Sequence, residues 1–143
     1  MFELIVKKDK KKWYLNGDTH RAKGPAIEFL DGEKWWCKNG FMHRDNNLPA
    51  IEKKNKNINI TFPNQDDEYW ENGQQYKLQD NGTREFIDLF GNLHRKNLPA
   101  VEYSNGDQEW WGHGKRHRKD GPAVIIGNKK FWFQFGEVIK CMI

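Results

Sequence analysis

One motif recurs along this chain and restricts the folds open to it. It consists of an aromatic position, Gly four residues later, His-Arg three residues after the Gly, and then Pro-Ala followed by Ile or Val. The aromatic position holds Trp13, Trp36 and Trp110 and, by the same count, Ile87. The four His-Arg pairs are His20 with Arg21, His43 with Arg44, His94 with Arg95, and His117 with Arg118. Self-similarity at a short fixed period is typical of repeat architectures.

The spacing of the copies shows a second level of repetition. His20 and His43 are 23 residues apart, as are His94 and His117, and the first pair precedes the second by 74 residues. We therefore predict one repeat domain over residues 1–143. Its parts are repeats at about 11–33, 34–56, 85–107 and 108–129, a degenerate repeat at 67–84, an insertion at 53–65 and a C-terminal half-repeat or cap at 130–143.

Each copy carries the pattern of a β-hairpin. Short strand-like runs flank Asp31-Gly32 in the first copy and Asn105-Gly106 in the third, and such dipeptides favour tight turns between antiparallel strands. A hairpin of about 23 residues cannot bury its own aromatic face, so neighbouring units must stack or extend one sheet. We predict an all-β fold, an elongated, twisted antiparallel meander or solenoid of hairpin repeats.

Composition is consistent with a folded chain that has a shallow core. Only 36% of the residues are hydrophobic, but seven Trp, nine Phe and four Tyr each bury a large area. Residues 1–6 are too short an apolar run for a secretory signal, and no run is long enough to span a bilayer, so we expect a cytoplasmic protein with no membrane insertion. Cys37 and Cys141 are then expected to be reduced. The net charge of +4 favours an anionic partner.

The Trp-x-x-Asn-Gly-x-x-His run at residues 13–20 and 36–43 resembles the hairpin repeats known as MORN repeats. The sequence departs from that family by placing Arg after the His, where Gly is usual, and by adding Pro-Ala. It looks more like a variant class with His-Arg-x-x-Gly-Pro-Ala repeats, found in hypothetical proteins of bacteria, phages and giant viruses. The resemblance covers roughly residues 11–136 and implies a MORN-like fold and a scaffold or binding platform, with no activity to assign to single residues.

The His-Arg pairs are the residues best suited to chemistry, yet their repetition favours a structural role. A catalytic residue is needed once, whereas a residue that every hairpin requires recurs with the hairpin. We predict that each His bonds a turn carbonyl and that each Arg pairs with Glu28, Glu52 or Glu102 or lies over a Trp face. The alternative is a row of anion-binding sites along the repeats.

Residues that break the repeat are the better candidates for binding. The most basic stretch is 113–119, where His113, Lys115, Arg116, Arg118 and Lys119 are candidate contacts for an anion or partner. Adjacent strand residues face opposite sides of a sheet, which makes one Trp of each Trp-Trp pair, Trp35 and Trp111 among the candidates, a binding contact as well. Lys53, Lys54 and Lys56 open the insertion and are the remaining candidates. Asp66, Asp67 and Glu68 lack the ligand spacing of a calcium loop, and we predict no metal site.

Nothing in the sequence favours an enzyme or a cofactor. The single Ser, Ser104, lies in a turn without nucleophile-elbow glycines, and there is no phosphate-binding glycine loop. We expect a non-catalytic protein that binds a protein partner; by analogy with the variant class, it would be a phage-encoded inhibitor of a bacterial defence or host protein. The alternatives are a nucleotide or cyclic-oligonucleotide sponge and a DNA- or RNA-binding protein. A homodimer through sheet edges at residues 3–6 or 131–135 is a further alternative.

Overall fold

The computed structural model describes residues 1–53 and 66–143, and this part of the chain forms antiparallel β-sheets without a helix. The prediction of an all-β antiparallel fold is confirmed. The chain divides into two compact units, Met1–Gly73 and Gln74–Ile143, a division that coincides with the 74-residue offset of the sequence repeat. Across the described residues, the structure contains no helix long and apolar enough to cross a membrane.

The first unit contains one sheet with the strand order β1-β2-β4-β5-β8, in which β3 also pairs with β2, and a separate hairpin of β6 and β7. Its strands are β1 (Phe2–Val6), β2 (Lys10–Leu15), β3 (Asp18–Thr19), β4 (Ile27–Phe29), β5 (Lys34–Trp35), β6 (Cys37–Lys38), β7 (Phe41–Met42), β8 (Ile51–Glu52) and β9 (Tyr69–Glu71).

The second unit repeats this plan. Its sheet has the strand order β10-β11-β12-β13-β16-β17-β18, and β14 and β15 form a separate hairpin. The strands are β10 (Gln74–Leu78), β11 (Arg84–Phe86), β12 (Val101–Glu102), β13 (Gln108–Glu109), β14 (Trp111–Gly112), β15 (Lys115–Arg116), β16 (Val124–Ile126), β17 (Lys129–Gln134) and β18 (Glu137–Met142).

The Ala of each Pro-Ala step forms the centre of the thin core. Ala26, Ala50, Ala100 and Ala123 are each 0% exposed, and the carbonyl of each accepts a hydrogen bond of 2.7–2.8 Å from the backbone N–H of an aromatic residue. The donors are Trp13, Trp36, Phe86 and Trp110. The assignment of Ile87 to the aromatic position is therefore wrong, because the third copy has one more residue between its ring and its Gly.

The sheet edges differ in part from those that the sequence predicts. β1 is an edge strand of the first sheet, and all five of its residues are exposed. Residues 131–135 do not form an edge, since β17 lies between β16 and β18. β2 is an internal strand, because it pairs with β1 on one side and with β3 and β4 on the other. The homodimer through residues 3–6 stays a prediction.

The two cysteines are both free and differ in their surroundings. Cys37 is buried, with its Sγ 3.6 Å from the Sδ of Met42, and burial raises the pKa of this thiol to about 11. Cys141 lies exposed on β18.

We expect iodoacetamide at about pH 8 to alkylate Cys141 rapidly in the folded protein and Cys37 only after unfolding. The reason is that only about one Cys37 thiol in a thousand is ionised at that pH, and the thiolate is the nucleophile. Peptide mass spectrometry of a time course measures both rates, and Cys141→Ser should leave a single slow thiol. Equal alkylation rates in the folded protein would contradict the burial of Cys37.

Candidate functional site

Each repeat arginine lies over the ring of its own copy and donates a hydrogen bond to the carbonyl of the proline that follows it. The distances from Cζ to the ring centroid are 3.7–3.9 Å. The Nη1–O distances are 3.2 Å for Arg21 to Pro25, 3.0 Å for Arg44 to Pro49, 3.3 Å for Arg95 to Pro99 and 3.0 Å for Arg118 to Pro122. The guanidinium plane stacks on the ring while its Nη1 donates to the proline carbonyl, so one side chain links the ring to the Pro-Ala step of its copy.

A glutamate neutralises three of these arginines. Nη1 lies 3.1 Å from the carboxylate in Arg21–Glu28, 2.8 Å in Arg44–Glu52 and 2.6 Å in Arg95–Glu102. Burial opposes ionisation of Glu102, yet hydrogen bonds from Arg84 and Arg95 outweigh it and hold the pKa of this carboxyl below its ordinary value. In these copies the charge of the arginine is therefore used within the fold.

Arg118 is the exception. In the fourth copy Ile125 stands where the other copies have glutamate, and within residues 1–53 and 66–143 no carboxylate pairs with Arg118. The guanidinium is nevertheless held in place, with the Trp110 ring 3.8 Å from its Cζ on one side and Gly121 close by. A Cβ at Gly121 would lie 2.9 Å from the Arg118 Cζ, so this glycine makes room for the charge.

The repeat histidines join each hairpin to the following turn. Nδ1 of each ring accepts a hydrogen bond of 3.0–3.2 Å from a backbone N–H. The pairs, from donor to acceptor, are Asn39 to His20, Asn72 to His43, His113 to His94 and Phe135 to His117. The prediction of a bond to a turn carbonyl is wrong. The donor is the first residue of a type I′-like turn, whose left-handed φ of 45–51° points its N–H toward the ring.

The loops of the third and fourth copies enclose an open groove of about 570 Å³. It is lined by residues 94–98, 110–112 and 117–120. Lys96, Arg118 and Lys119 line it without a carboxylate partner in the part of the chain that the structure describes, and Asp120 is the one acidic residue among the lining set. The groove therefore carries a net positive charge.

The structure brings Arg118, Lys119 and Trp111 into this groove, but it gives other candidates partners of their own. Arg116 donates from Nε to Glu109, 3.1 Å away, and that buried carboxylate also accepts bonds from Trp111 and Tyr103. Arg116 is therefore not the free anion contact that the sequence favours. Lys115 is exposed on β15 but is not part of the groove lining.

His113 and Lys53 also have carboxylate partners. Nδ1 of His113 lies 2.9 Å from the Oδ2 of Asp88, and its ring stacks on His94 with centroids 3.8 Å apart. Nζ of Lys53 lies 3.0 Å from Glu68. Lys54 and Lys56 lie outside the described residues, as does most of the predicted insertion.

The tryptophan candidates are half-buried and not exposed. Nε1 of Trp35 donates to Glu33, 2.7 Å away, and Nε1 of Trp111 donates to Glu109, 3.3 Å away. None of the four rings of the Trp-Trp pairs is exposed, and which ring of each pair lies on the less buried face stays a prediction. Lys96 is the groove residue that the sequence reasoning missed, and its signal was its place directly after His94-Arg95, matching Lys119 after His117-Arg118.

Among the residues described, no three or more His, Cys, Asp and Glu side chains are grouped so that they could hold a metal ion. Comparison of the chain with protein-family models, curated proteins and solved structures gave no match. The contacts within the molecule therefore carry the functional inference.

The surroundings of His94 predict a dependence of stability on pH. Burial, and then the nearby His113, hold the pKa of His94 below its ordinary value, with Asp88 acting in the opposite direction. Below the ordinary pKa of about 6.5, His94 takes up a proton in the unfolded chain but stays neutral in the folded chain. The free energy that the neutral ring contributes to folding is therefore present above that pH and is lost as the pH falls through the lower folded pKa.

We expect the free energy of unfolding in urea to fall between about pH 7 and pH 5, and to fall less in His94→Asn. An asparagine oxygen can accept the His113 N–H in place of Nδ1 and does not titrate in this range. Urea titrations at several pH values measure the difference. The same pH dependence in both proteins would show that His94 does not contribute to it.

Gly121→Ala should lower the free energy of unfolding by up to about 1 kcal/mol relative to Gly112→Ala, since the new Cβ displaces the Arg118 guanidinium from the Trp110 ring. Gly112→Ala is the matched control, because nothing lies within 4 Å of a Cβ there and its φ is not left-handed. Its stability should stay within about 0.5 kcal/mol of the parent. Equal losses in the two variants, measured by urea denaturation, would contradict the close approach at Gly121.

Proposed function

We propose that the protein is a non-catalytic binding module that engages an acidic segment of a protein partner through the groove between its third and fourth repeats. One observation carries this proposal: Lys96, Arg118 and Lys119 line a single groove and none of them pairs with a carboxylate within residues 1–53 and 66–143, while the equivalent arginines of the other copies are all paired. Unpaired charge on an ordered surface favours a partner of the opposite sign and speeds its association.

The internal contacts of the histidines support a non-catalytic role. A general base needs a free nitrogen close to the substrate, but Nδ1 of each of the four repeat histidines is occupied by a turn N–H. At His43 the other nitrogen is engaged too, since Nε2 lies 2.7 Å from Asp45. The histidine of each His-Arg pair thus serves the fold in its own copy.

The same contacts support a MORN-like array. Each His reaches the turn of the next hairpin, twice in the first unit and twice in the second, which is what a chain of stacked hairpin repeats requires. Arrays of this kind offer an extended surface, and such surfaces suit protein partners. The phage-encoded inhibitor stays a prediction from the resemblance.

A protein partner is favoured over a nucleotide by the state of the aromatic rings. Nucleotide and single-strand binding rely on ring faces on which bases can stack. In this groove the Trp110 ring is covered by Arg118, and Arg116 lies over Trp111 with its Cζ 5.0 Å from the centroid. Charge is available in the groove, whereas Arg118 and Arg116 already occupy a face of the Trp110 and Trp111 rings.

The proposal predicts that a blocked oligoglutamate peptide binds at low salt and that Lys96→Glu with Lys119→Glu weakens binding by roughly tenfold or more, since both charges face the ligand. Lys23→Glu with Lys129→Glu is the control. It changes the net charge by the same amount at exposed sites outside the groove, and binding should stay within about twofold. Fluorescence anisotropy of a labelled peptide measures each affinity.

Two results would contradict the proposal. One is an equal loss of affinity in the groove variant and in the control, which would indicate attraction by net charge alone. The other is tight binding of a single-stranded oligonucleotide or a mononucleotide by a protein that does not bind the peptide. That result would favour the nucleic-acid or sponge alternatives.

A further inference from the structure

The four copies provide an internal comparison that identifies what Arg118 lacks. In the first three copies the residue two positions after Ala is Glu28, Glu52 or Glu102, and its carboxylate accepts a hydrogen bond from Nη1 of the repeat arginine. In the fourth copy this residue is Ile125, at the same place in the strand directly after a buried β-branched residue. In three copies the repeat arginine thus binds a carboxylate from its own copy, and in the fourth copy that carboxylate is replaced by an apolar side chain.

Arg118 keeps every other contact of the set. It lies 3.8 Å from the Trp110 ring and donates from Nη1 to the Pro122 carbonyl at 3.0 Å, as its counterparts do. The side chain is half-buried, so the guanidinium has lost part of its hydration without gaining a counter-charge from the part of the chain that the structure describes. A ligand that supplies the counter-charge would meet a side chain already ordered for it, which reduces the entropy lost on binding.

We propose that Arg118 binds a carboxylate from the partner, an Asp or Glu side chain, which takes the place that glutamate fills in the other three copies. This inference rests on the proposed function and names the chemical group and the residue at its centre. Carboxylate is the ligand class because three carboxylates already occupy the equivalent site within this molecule. Lys96 and Lys119, which line the same groove, attract the acidic segment around that group.

Ile125→Glu tests the proposal by supplying the missing carboxylate from within the chain. The first copy indicates that such a glutamate will bind the arginine, because Glu28 has Lys11 and Lys34 as cross-strand neighbours and still pairs with Arg21. Position 125 has a similar neighbour in Lys130. The internal carboxylate should then compete with the partner's carboxylate for Arg118.

The matched control is Ile126→Glu. It adds the same charge one residue further along β16, at a side chain that is 49% exposed and lies on the opposite side of the strand. We expect Ile125→Glu to weaken binding of the oligoglutamate peptide at least about tenfold, the loss typical of a charge-assisted hydrogen bond. Ile126→Glu should weaken binding by less than about threefold. Ile125→Glu should also raise the melting temperature at neutral pH relative to Ile126→Glu.

Arg118→Lys is a second test that does not depend on the new glutamate. It keeps the positive charge but removes the planar fork, so peptide binding should again fall about tenfold while the effect of salt on binding changes little. The probe for specificity is inorganic phosphate. Phosphate that binds more tightly than the peptide, and loses affinity in Ile125→Glu, would overturn the assignment of carboxylate as the ligand.

The outcomes separate this inference from the proposed function. If Lys96→Glu with Lys119→Glu weakens peptide binding but Ile125→Glu and Arg118→Lys do not, the Arg118 site is wrong and the acidic-partner groove stands. If Ile125→Glu and Arg118→Lys weaken binding and Lys96→Glu with Lys119→Glu does not, the Arg118 site stands and the wider groove is wrong. A parent protein that binds no peptide at low salt overturns both.

Discussion

The hydrogen bond from a turn N–H to Nδ1 of a repeat histidine is the contact on which the rest of the structure depends. It connects each hairpin to the turn that follows, and it fixes the direction in which the next residue, arginine, points. Arg21 and Arg44 then lie over Trp13 and Trp36 of their own copies. A His-Arg dipeptide therefore contacts the following turn through His and the preceding aromatic ring through Arg, which explains why the two residues recur together.

This arrangement allows a chain with few aliphatic residues to form a core. The alanines of the Pro-Ala steps, such as Ala26 and Ala50, are fully buried, and a guanidinium group lies over the aromatic ring of the same copy. A partly buried arginine is costly without a counter-charge, so the Pro-Ala step carries a glutamate two residues later. The charged residues of the repeat are in this sense core residues, which is why their abundance in the sequence does not indicate a binding surface.

The sequence predicted the class of fold and the partners of the repeat arginines because both follow from spacing within one copy. It did not predict which charged side chains remain unpaired, because that depends on strands brought together by the fold. Arg116 in β15 pairs with Glu109 in β13, and Lys53 pairs with Glu68, which follows the predicted insertion. The spacing of the motif also predicted the wrong residue at the aromatic position of the third copy, since the backbone hydrogen bond to Ala100 comes from Phe86.

Divergence between copies is more informative about function than any single motif, because the fold explains whatever the copies share. Asn is the natural residue for a left-handed turn position, as at Asn39 and Asn72, yet His113 holds that place with a φ of 45° and stacks on His94. Glutamate is the natural partner of the arginine, yet Ile125 holds its place. Both changes fall in the fourth copy. His113 gains internal contacts with Asp88 and His94, whereas Ile125 removes the carboxylate that pairs with the repeat arginine in the other copies, as expected if this copy has given up that internal pair for a partner.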